Sequence, residues 1–302
     1  MREVFLKNLT NLSKNSKTIL LTADVGFKIL DDFKKNNPSK FFNVGISEQN
    51  MIGIATGLSL CGNKVFCYSI ANFAALRAIE HIRNGPCYHN LDVIIVSGGS
   101  GYSYGPLGYS HHAIEDLAIM RSLPNIEIFS PMDDYEIEVI TKYLIKKHKG
   151  PAYLRIDKSK LENKSSSLIT SLDTPRKIIK HSKSRIVIFA TGGIINEAIM
   201  AINYLKKINI YCDLYSVFNL TKINKKFIKS ISQKRILTVE ETIKENGLYN
   251  LIQEYFKNKN VKNISIDKNK IFTNAGSQFF IRKKQKISKR NIINQILKID
   301  KK

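Results

Sequence analysis

Three segments of the 302-residue chain carry side chains that could take part in chemistry. The segment GISEQN places the carboxylate of Glu48 after a predicted strand, and YSIANF ends in the ring of Phe73. The third segment is the glycine-rich run Gly98–Gly108, which leads to His111 and His112. A carboxylate and an imidazole can transfer protons, and glycines let a backbone approach a ligand closely. These residue types indicate proton transfer on a bound ligand.

Each segment, taken alone, has a simpler structural explanation. The helix dipole favours an acid such as Glu48 in a first turn, Phe73 could belong to the core, and a His pair in a loop is often solvated. All three segments nevertheless follow consecutive predicted strands. Ligands of open parallel sheets bind outside the carboxyl ends of the strands, so the shared position favours a binding site at that edge.

Short apolar runs alternate with helical periods along the first half of the chain, which predicts a parallel sheet covered by helices. The predicted strands are Thr18–Thr22, Phe41–Val44, Val65–Tyr68, Asp92–Ser97, Ile126–Phe129 and Tyr153–Ile156. The first predicted helix is capped by Ser47 and runs to about Leu60. The others are Ala74–Arg83, Ala113–Arg121 and Asp134–Lys146.

A polar segment rich in Lys and Ser, Lys158–Ser184, is interpreted as a linker. A second unit follows, with a predicted helix from about Asn196. Its predicted strands are Arg185–Ala190, Tyr211–Tyr215, Arg235–Val239 and Asn263–Ile266. The sequence therefore predicts an α/β protein with two parallel or mostly parallel sheets, divided into domains of residues 1–165 and 166–302.

The composition is strongly basic, with 48 Lys and Arg against 25 Asp and Glu and a formal net charge of +23. The lysines are scattered among Asn and Ile without a basic–aromatic recognition module, so we expect no nucleic-acid partner. No stretch approaches the roughly 20 apolar residues of a membrane helix, and the first residues lack the pattern of a signal peptide. We therefore expect a cytoplasmic protein without membrane contact. The four cysteines, at 61, 67, 87 and 212, lack metal-ligand spacing.

The order of these segments resembles the pyrimidine-binding domain of the transketolase family. GISEQNM matches the family's Gly-x-x-Glu segment ahead of a long helix, and the aromatic segment before the next helix follows it. The glycine-rich loop ends in Ser110-His111-His112, where the family has Thr-His-Gln, and leads through IEDLAIMRSLPNI to SPMD. The resemblance is clear over Thr18–Asp157 and fainter over Arg185–Phe256, which is similar to the family's C-terminal domain.

The resemblance implies thiamine diphosphate as the cofactor and a ketol transfer from a ketose to an aldehyde as the reaction. Glu48 would hydrogen-bond the pyrimidine ring and promote loss of the thiazolium C2 proton, as a positioned acid–base group. Phe73 would stack on the pyrimidine, with Ile70 in the same cofactor-binding segment. Asp24, which follows a predicted strand, would lie near the thiazolium. His111 would act as a catalytic residue that handles the oxygens of the substrate.

The substrate end departs from the family's pattern. Gly99 and Leu107 occupy the aligned positions of a phosphate-binding His and a sugar-reading Asp, and Lys158 replaces a phosphate-binding Arg. We expect Lys158, Leu107 and the pair His111 and His112 to bind the substrate. The channel would be more aromatic than in the family, and Lys158 would offer a single point charge where an arginine offers a two-pronged guanidinium. These differences predict an acceptor other than a standard pentose phosphate. A less phosphorylated or nucleotide-linked sugar, or a small aldehyde, would fit.

The family holds the diphosphate and Mg²⁺ with a Gly-Asp-Gly motif in a separate domain, and this sequence contains no Gly-Asp-Gly. We therefore expect the C-terminal subunit of a split transketolase, which contributes no metal ligand. It would work with an N-terminal subunit that binds Mg²⁺, in a dimer of heterodimers. The alternatives are the β subunit of a 2-oxoacid dehydrogenase, an enzyme similar to deoxyxylulose-phosphate synthase, and a non-catalytic regulatory paralogue.

Overall fold

Six strands from the first half of the chain form one parallel sheet in the order β2-β1-β3-β4-β6-β5. They are β1 (Thr18–Thr22), β2 (Phe41–Asn43), β3 (Lys64–Ile70), β4 (Val93–Gly98), β5 (Glu127–Phe129) and β6 (Ala152–Ile156). This computed structural model describes residues 1–14, 16–158, 167–233, 235–257, 259–270 and 275–301. The predicted strands of this half are confirmed, with ends that shift by at most two residues.

Apolar side chains pack against both faces of this sheet. Every residue of β4 is buried. Val93 and Ile95 belong to one apolar cluster, whereas Ile94 and Val96 belong to another, because successive side chains of a strand point to opposite faces. The helices of this half are α1 (Arg2–Ser13), α2 (Asp31–Asn36), α3 (Glu48–Leu60), α4 (Ile79–Ile82), α5 (Asp116–Met120) and α6 (Asp134–Lys146). Burial on both faces explains the continuous apolar run VIIV.

The segment that follows β3 differs from the single helix predicted over Ala74–Arg83. It begins with a π-helical turn at Phe73–Arg77, continues as α4 and ends in a second π-helical turn at Arg83–Cys87. Pro86 lies inside the second turn and cannot donate an amide hydrogen, which disfavours a regular helix there. Wide turns of this kind are frequent at functional sites, and the first one starts at the predicted cofactor residue Phe73.

The second half forms a five-stranded sheet in the order β11-β10-β8-β9-β7. Its strands are β7 (Arg176–Ile179), β8 (Ile186–Ala190), β9 (Cys212–Ser216), β10 (Arg235–Ile243) and β11 (Asn260–Ile266). All neighbouring pairs are parallel except β7 and β9, which are antiparallel. The helices are α7 (Ile195–Lys206), α8 (Lys225–Ser230), α9 (Leu248–Tyr255), α10 (Gln278–Lys284) and α11 (Lys289–Asp300). The expectation of two parallel or mostly parallel sheets is confirmed.

Three details of the sequence interpretation are corrected. The expected linker Lys158–Ser184 contains β7, which the sequence missed because an edge strand with one exposed face carries few apolar residues. Helix α3 begins after Ser47, but the Ser47 side chain makes no capping hydrogen bond. Helices α1, α2, α8, α9, α10 and α11 were not predicted. The expected domain boundary between residues 165 and 166 lies outside the described residues.

The two halves share buried contacts around α5. Arg121, just after α5, donates from Nε to the carbonyl of Leu220 (3.1 Å) and from Nη1 to those of Asn246 and Gly247 (2.7 Å each). Tyr153 of β6 and Leu248 of α9 belong to one buried apolar cluster. The second half is therefore packed directly against the part of the first half that follows the glycine-rich loop. No helix within the described ranges has the length and apolar character needed to traverse a lipid bilayer.

Candidate active site

The predicted site residues follow neighbouring strands at the carboxyl edge of the first sheet. Asp24 follows β1, Glu48 follows β2, Phe73 follows β3, the glycine-rich loop follows β4, and Lys158 follows β6. Because β2, β1, β3, β4 and β6 are adjacent in that order, residues far apart in the sequence meet at one edge. This is the edge where ligands bind in open parallel sheets.

Glu48 is a buried acid that retains one unpaired oxygen. It opens α3, and its side chain is 1% exposed. Its Oε2 accepts a hydrogen bond from Arg77 Nη1 at 2.7 Å. Within the described part of the chain, Oε1 has no hydrogen-bond partner. Arg77 therefore compensates the buried charge and leaves Oε1 for a ligand; the sequence interpretation did not single out Arg77.

The ring of Phe73 lies between Arg77 and His111. The guanidinium carbon of Arg77 is 4.6 Å from the ring centroid, and the imidazole of His111 lies at 5.1 Å, edge-on at 65°. Both arrangements suit the negative face and positive edge of an aromatic ring. The structure thus brings the predicted catalytic pair Glu48 and His111 to opposite ends of one connected cluster. Ile70, at the end of β3, is half-buried in the same segment.

His111 lies near the C-terminal end of the glycine-rich loop and is held in place by its neighbours. Its Nδ1 lies 3.0 Å from the hydroxyl of Ser110. The side chain of Asn72 donates from Nδ2 to the carbonyl of Ser110 at 2.8 Å. Asn72 directly precedes Phe73, so it ties the aromatic segment to the histidine loop. Asn72 was missed because an isolated Asn before a helix is an ordinary turn residue.

His112 does not line the site in the way that the sequence indicated. Its side chain is 1% exposed and packs edge-on against Tyr102, with ring centroids 4.9 Å apart. No described residue forms a hydrogen bond with its Nδ1. Burial lowers the pKa of His112 from its ordinary value of 6.5. In this conformation His112 supports the inside of the loop, while His111 faces the site.

Asp24 is exposed and occupies a left-handed turn, with φ of 52°. Its Oδ1 accepts from Asn43 Nδ2 at 2.8 Å, and its backbone N–H donates to Asn43 Oδ1 at 3.0 Å. The same Asn43 oxygen accepts from the N–H of Gly45 at 3.1 Å. Asp24 therefore joins the ends of β1 and β2 just ahead of Glu48. An asparagine or aspartate at positive φ is common in turns, so this contact serves the loop geometry as well.

A cavity of about 230 Å³ opens next to these residues, and its cationic end is formed by Arg2 in the lining and by Lys158, which contacts the lining residue Tyr104. Its lining includes Arg2, Ile70, Gly98 and Tyr104. The Lys158 ammonium lies 3.3 Å from the Tyr104 ring centroid. Burial and the positive charge of Arg2 lower the pKa of Lys158. Arg2 belongs to the unpredicted helix α1, so the sequence interpretation placed only one of the two charges here.

The two departures from the family pattern have different structural reasons. Gly99 has φ of +89°, and a Cβ at this position would overlap the ring of Tyr104. A larger residue at 99 therefore requires Tyr104 to move. Leu107 ends a short 3₁₀ turn, Gly105–Leu107, and its side chain is 55% exposed. A change at Leu107 can therefore be accommodated more easily than one at Gly99.

Metal-ligating and thiol groups do not add a second centre to this edge. Within the described residues, no group of three or more His, Cys, Asp and Glu side chains could hold a metal ion. Cys61 is exposed at the end of α3, while Cys67, Cys87 and Cys212 are buried. Burial raises the pKa of Cys87 and of Cys212 to about 12, which keeps these thiols protonated and unreactive.

Comparison with known proteins agrees with this architecture. Residues 1–164 match the family model described as transketolase, pyrimidine binding domain. A Methanocaldococcus jannaschii protein named as a transketolase C-terminal section is 33% identical, with 91% of this chain and 88% of that protein covered. A subunit of the apulose-4-phosphate transketolase of Actinobacillus succinogenes is 32% identical over 71% of this chain and 73% of its own length.

A solved structure with a matching fold is described as a split gene transketolase in an inactive beta4 tetramer. It superimposes with a TM-score of 0.86 at 30% identity and covers 99% of this chain and 97% of its own. The sheet order and the position of the cluster define an α/β protein with a candidate ligand site at the carboxyl edge of its first sheet. The chain belongs to the transketolase family and corresponds to its C-terminal section, with the pyrimidine-binding domain in the first half.

Proposed function

We propose that this chain is the C-terminal subunit of a two-subunit, thiamine-diphosphate-dependent transketolase. The enzyme would transfer a two-carbon ketol unit from a ketose donor to an aldehyde acceptor. An N-terminal subunit would hold the diphosphate and Mg²⁺, and the assembly would contain two copies of each subunit. The names of two relatives, one a transketolase C-terminal section and the other a transketolase subunit, support a division into two chains.

The observation that carries this proposal is the cluster of Glu48, Phe73 and His111 at one edge of the first sheet. A buried carboxylate with one unpaired oxygen fits a ring nitrogen of an aminopyrimidine, and an aromatic ring beside it fits the ring face. These groups suit the pyrimidine end of the cofactor. The proposed division into two chains assigns the diphosphate end to the N-terminal subunit.

When bound, thiamine diphosphate would supply a carbon nucleophile and an electron sink at its thiazolium. Glu48 would hydrogen-bond the pyrimidine ring through Oε1 and exchange a proton with it. Arg77 would hold Oε2 and fix the orientation of the carboxylate. His111 would donate to or accept from a substrate oxygen, because its imidazole is partly exposed on the side of Phe73.

The cationic end of the cavity supports a substrate with an anionic group. Arg2 and Lys158 place two positive charges around Tyr104, where the sequence alone indicated a single lysine. The relative from Actinobacillus succinogenes, an apulose-4-phosphate transketolase, takes a sugar phosphate by its name. We propose that one substrate carries a phosphate or carboxylate at this end. The exposed Leu107 would then contact the uncharged part of a non-standard acceptor.

Reconstitution tests the proposal directly. The purified chain is mixed with a transketolase N-terminal subunit containing Gly-Asp-Gly, and ketol transfer to a panel of aldehydes is measured with Mg²⁺ and the cofactor. We expect activity from the mixture and none from either chain. The Glu48→Gln variant in the same mixture serves as the matched control for the site. Full turnover by this chain alone, or no cofactor binding by the mixture, would contradict the proposal.

A further inference from the structure

Glu241, in the second half of the chain, is a buried acid held in a fixed orientation. It lies near the end of β10 and is 2% exposed. Arg282 of α10 binds both carboxylate oxygens, from Nε to Oε1 at 2.9 Å and from Nη2 to Oε2 at 2.7 Å. Gln278 donates to Oε2 at 3.1 Å. Two parallel hydrogen bonds from a guanidinium fix the geometry as well as the charge.

The glycine-rich loop packs against this carboxylate at its neck, which is the pair Gly101 and Ala113 where the two ends of the loop meet. Gly101 has φ of +56°, and a Cβ added there would lie 2.7 Å from the Glu241 carboxylate. Gly101 also exchanges two backbone hydrogen bonds with Ala113, each of 3.0 Å, which close the neck of the loop. Glycine suits this position for two reasons, because the backbone is left-handed and the carboxylate leaves no space for a side chain.

Further bonds attach the same loop to the second half. The N–H of Gly276 donates to the carbonyl of Gly105 at 3.1 Å, and a Cβ on Gly105 would overlap the carbonyl of Gly276. The N–H of Ile243 donates to the carbonyl of Ile114 at 2.9 Å. The second half therefore contacts the loop at its tip and just beyond its end, as well as at its neck.

Arg155 of β6 binds both the end of the glycine-rich loop and strand β10 of the second half. Its Nη2 donates to the carbonyls of Ala113 at 2.8 Å and of Glu241 at 3.3 Å. Its Nε donates to Asp116 Oδ2 at 2.7 Å. The loop that carries His111 is therefore built against the second half of the chain on one side and against Asn72 on the other.

We propose that Glu241 is a positioning residue for the glycine-rich loop, so that the second domain determines where His111 lies at the active site. The proposal rests on the function given above for His111. Glu241 is absent from the cavity lining and does not belong to the Glu48–Phe73 cluster, and its carboxylate meets the loop at Gly101. Its loss displaces His111 without altering the pyrimidine-binding residues. A displacement of about 1 Å at a positioned group can lower a rate by about a hundredfold.

Two glycines of the loop provide a matched pair of variants. Gly101→Ala adds a methyl group against Glu241, whereas Gly108→Ala adds one at φ of +80° where no described atom lies within 4 Å. Both variants place alanine at positive φ, and Gly108, with ψ of −174°, lies in a region that alanine strongly disfavours, so a larger loss from Gly101→Ala is attributable to the contact with Glu241. In the complete two-subunit enzyme, we expect Gly101→Ala to lower kcat/KM for the substrates at least about tenfold more than Gly108→Ala. Cofactor affinity should stay within about twofold in both.

The Glu241→Ala background completes the test. There the space beside residue 101 is open, so Gly101→Ala should cost no more than Gly108→Ala. Equal losses for the two glycine variants in the presence of Glu241, or a Gly101→Ala loss that persists in the Glu241→Ala background, would overturn the proposal. A fall in cofactor affinity that matches the fall in kcat/KM would also overturn it.

Hydrogen exchange separates this proposal from the proposed function, because it uses the chain alone and needs neither cofactor nor substrate. The amides of Gly101 and Ala113 are paired across the loop neck. We expect their exchange to accelerate at least about tenfold in Gly101→Ala and to stay near the wild-type rate in Gly108→Ala, since a strained neck opens locally at a lower free-energy cost. Unchanged exchange in Gly101→Ala would contradict the loop attachment even if the enzyme proves to be a transketolase.

Discussion

The two ends of the candidate site are held in place in different ways. At the cofactor end, Glu48 is paired with Arg77, 29 positions along the chain, and both belong to the first domain. At the substrate end, the glycine-rich loop is supported by Glu241, Ile243 and Gly276 from the second domain. Changes at the cofactor end should therefore act within one domain, whereas the substrate end depends on how two domains pack.

The largest expected effect lies at the cofactor end. We predict that Glu48→Gln removes most activity and leaves the fold intact, because the amide occupies the same space and cannot exchange the proton. Hydrogen–deuterium exchange at the thiazolium C2 should slow at least about tenfold, within the range of a positioned acid–base group. Glu80→Gln, an exposed change on α4, is the control. Exchange at the wild-type rate in Glu48→Gln would remove Glu48 from the mechanism.

At the substrate end, Leu107→Asp should change which acceptor is preferred. The side chain is 55% exposed on a short turn, so the change should not disturb the fold. An added hydroxyl-binding carboxylate should raise the preference for standard sugar phosphates over small aldehydes by about tenfold, as one new polar contact allows. The ratio of kcat/KM values measures it. Efficient use of ribose phosphate by the unmodified subunit pair, at rates matching other aldehydes, would contradict this substrate prediction.

Adding Gly99→His to Leu107→Asp would not make the test of acceptor preference more specific. Histidine at 99 would overlap the ring of Tyr104, which also contacts the Lys158 ammonium. A double variant would therefore alter the cationic end of the cavity as well as the acceptor contact. The single change at Leu107 keeps the two effects apart.

A smaller effect is expected from the ion pair at the cofactor end. Arg77→Met leaves the Glu48 carboxylate buried without its partner, which should lower the free energy of unfolding by about 1–3 kcal/mol. Arg83→Met is the matched control, because Arg83 is an exposed arginine in the same segment, and within the described residues its side chain hydrogen-bonds only to its neighbour Asn84. Urea unfolding measures both. The cost of Arg77→Met should largely disappear in the Glu48→Gln background, and an equal cost there would show that Arg77 acts independently of Glu48.

The same contrast explains what could be predicted from the sequence. The strands of both sheets, apart from the edge strand β7, were found because buried parallel strands are continuous apolar runs, and Glu48 and Phe73 follow them directly. The residues that hold the site residues in place were not predicted. Arg77 lies one helical turn after Phe73, where an exposed arginine carries no local signal, and Arg2 lies on an unpredicted terminal helix.

Glu241 shows the limit of pattern reasoning more clearly. Glu240 and Glu241 are adjacent acids in β10 and have separate structural roles. Glu240 accepts from the N–H groups of Leu248 and Tyr249 at 2.7 and 3.0 Å, which begins α9. Glu241 instead faces Gly101 in the other domain. The different roles of these two neighbours arise from the packing of the two domains, which the periodicity of a single segment does not predict.

The smallest effect concerns His112, which belongs to the loop that the second domain supports. Burial lowers its pKa, so the folded chain disfavours the protonated imidazole while the unfolded chain binds a proton below about its ordinary value of 6.5. The stability that neutral His112 contributes is therefore complete above that value and is lost as the pH falls through it. We predict that His112→Gln makes the urea midpoint less sensitive to acidification from about pH 7.5 to 5.5. His89→Gln, at an exposed position, is the control and should leave the wild-type sensitivity unchanged. The same acid sensitivity in His112→Gln and wild type would mean that His112 is not kept neutral by the loop.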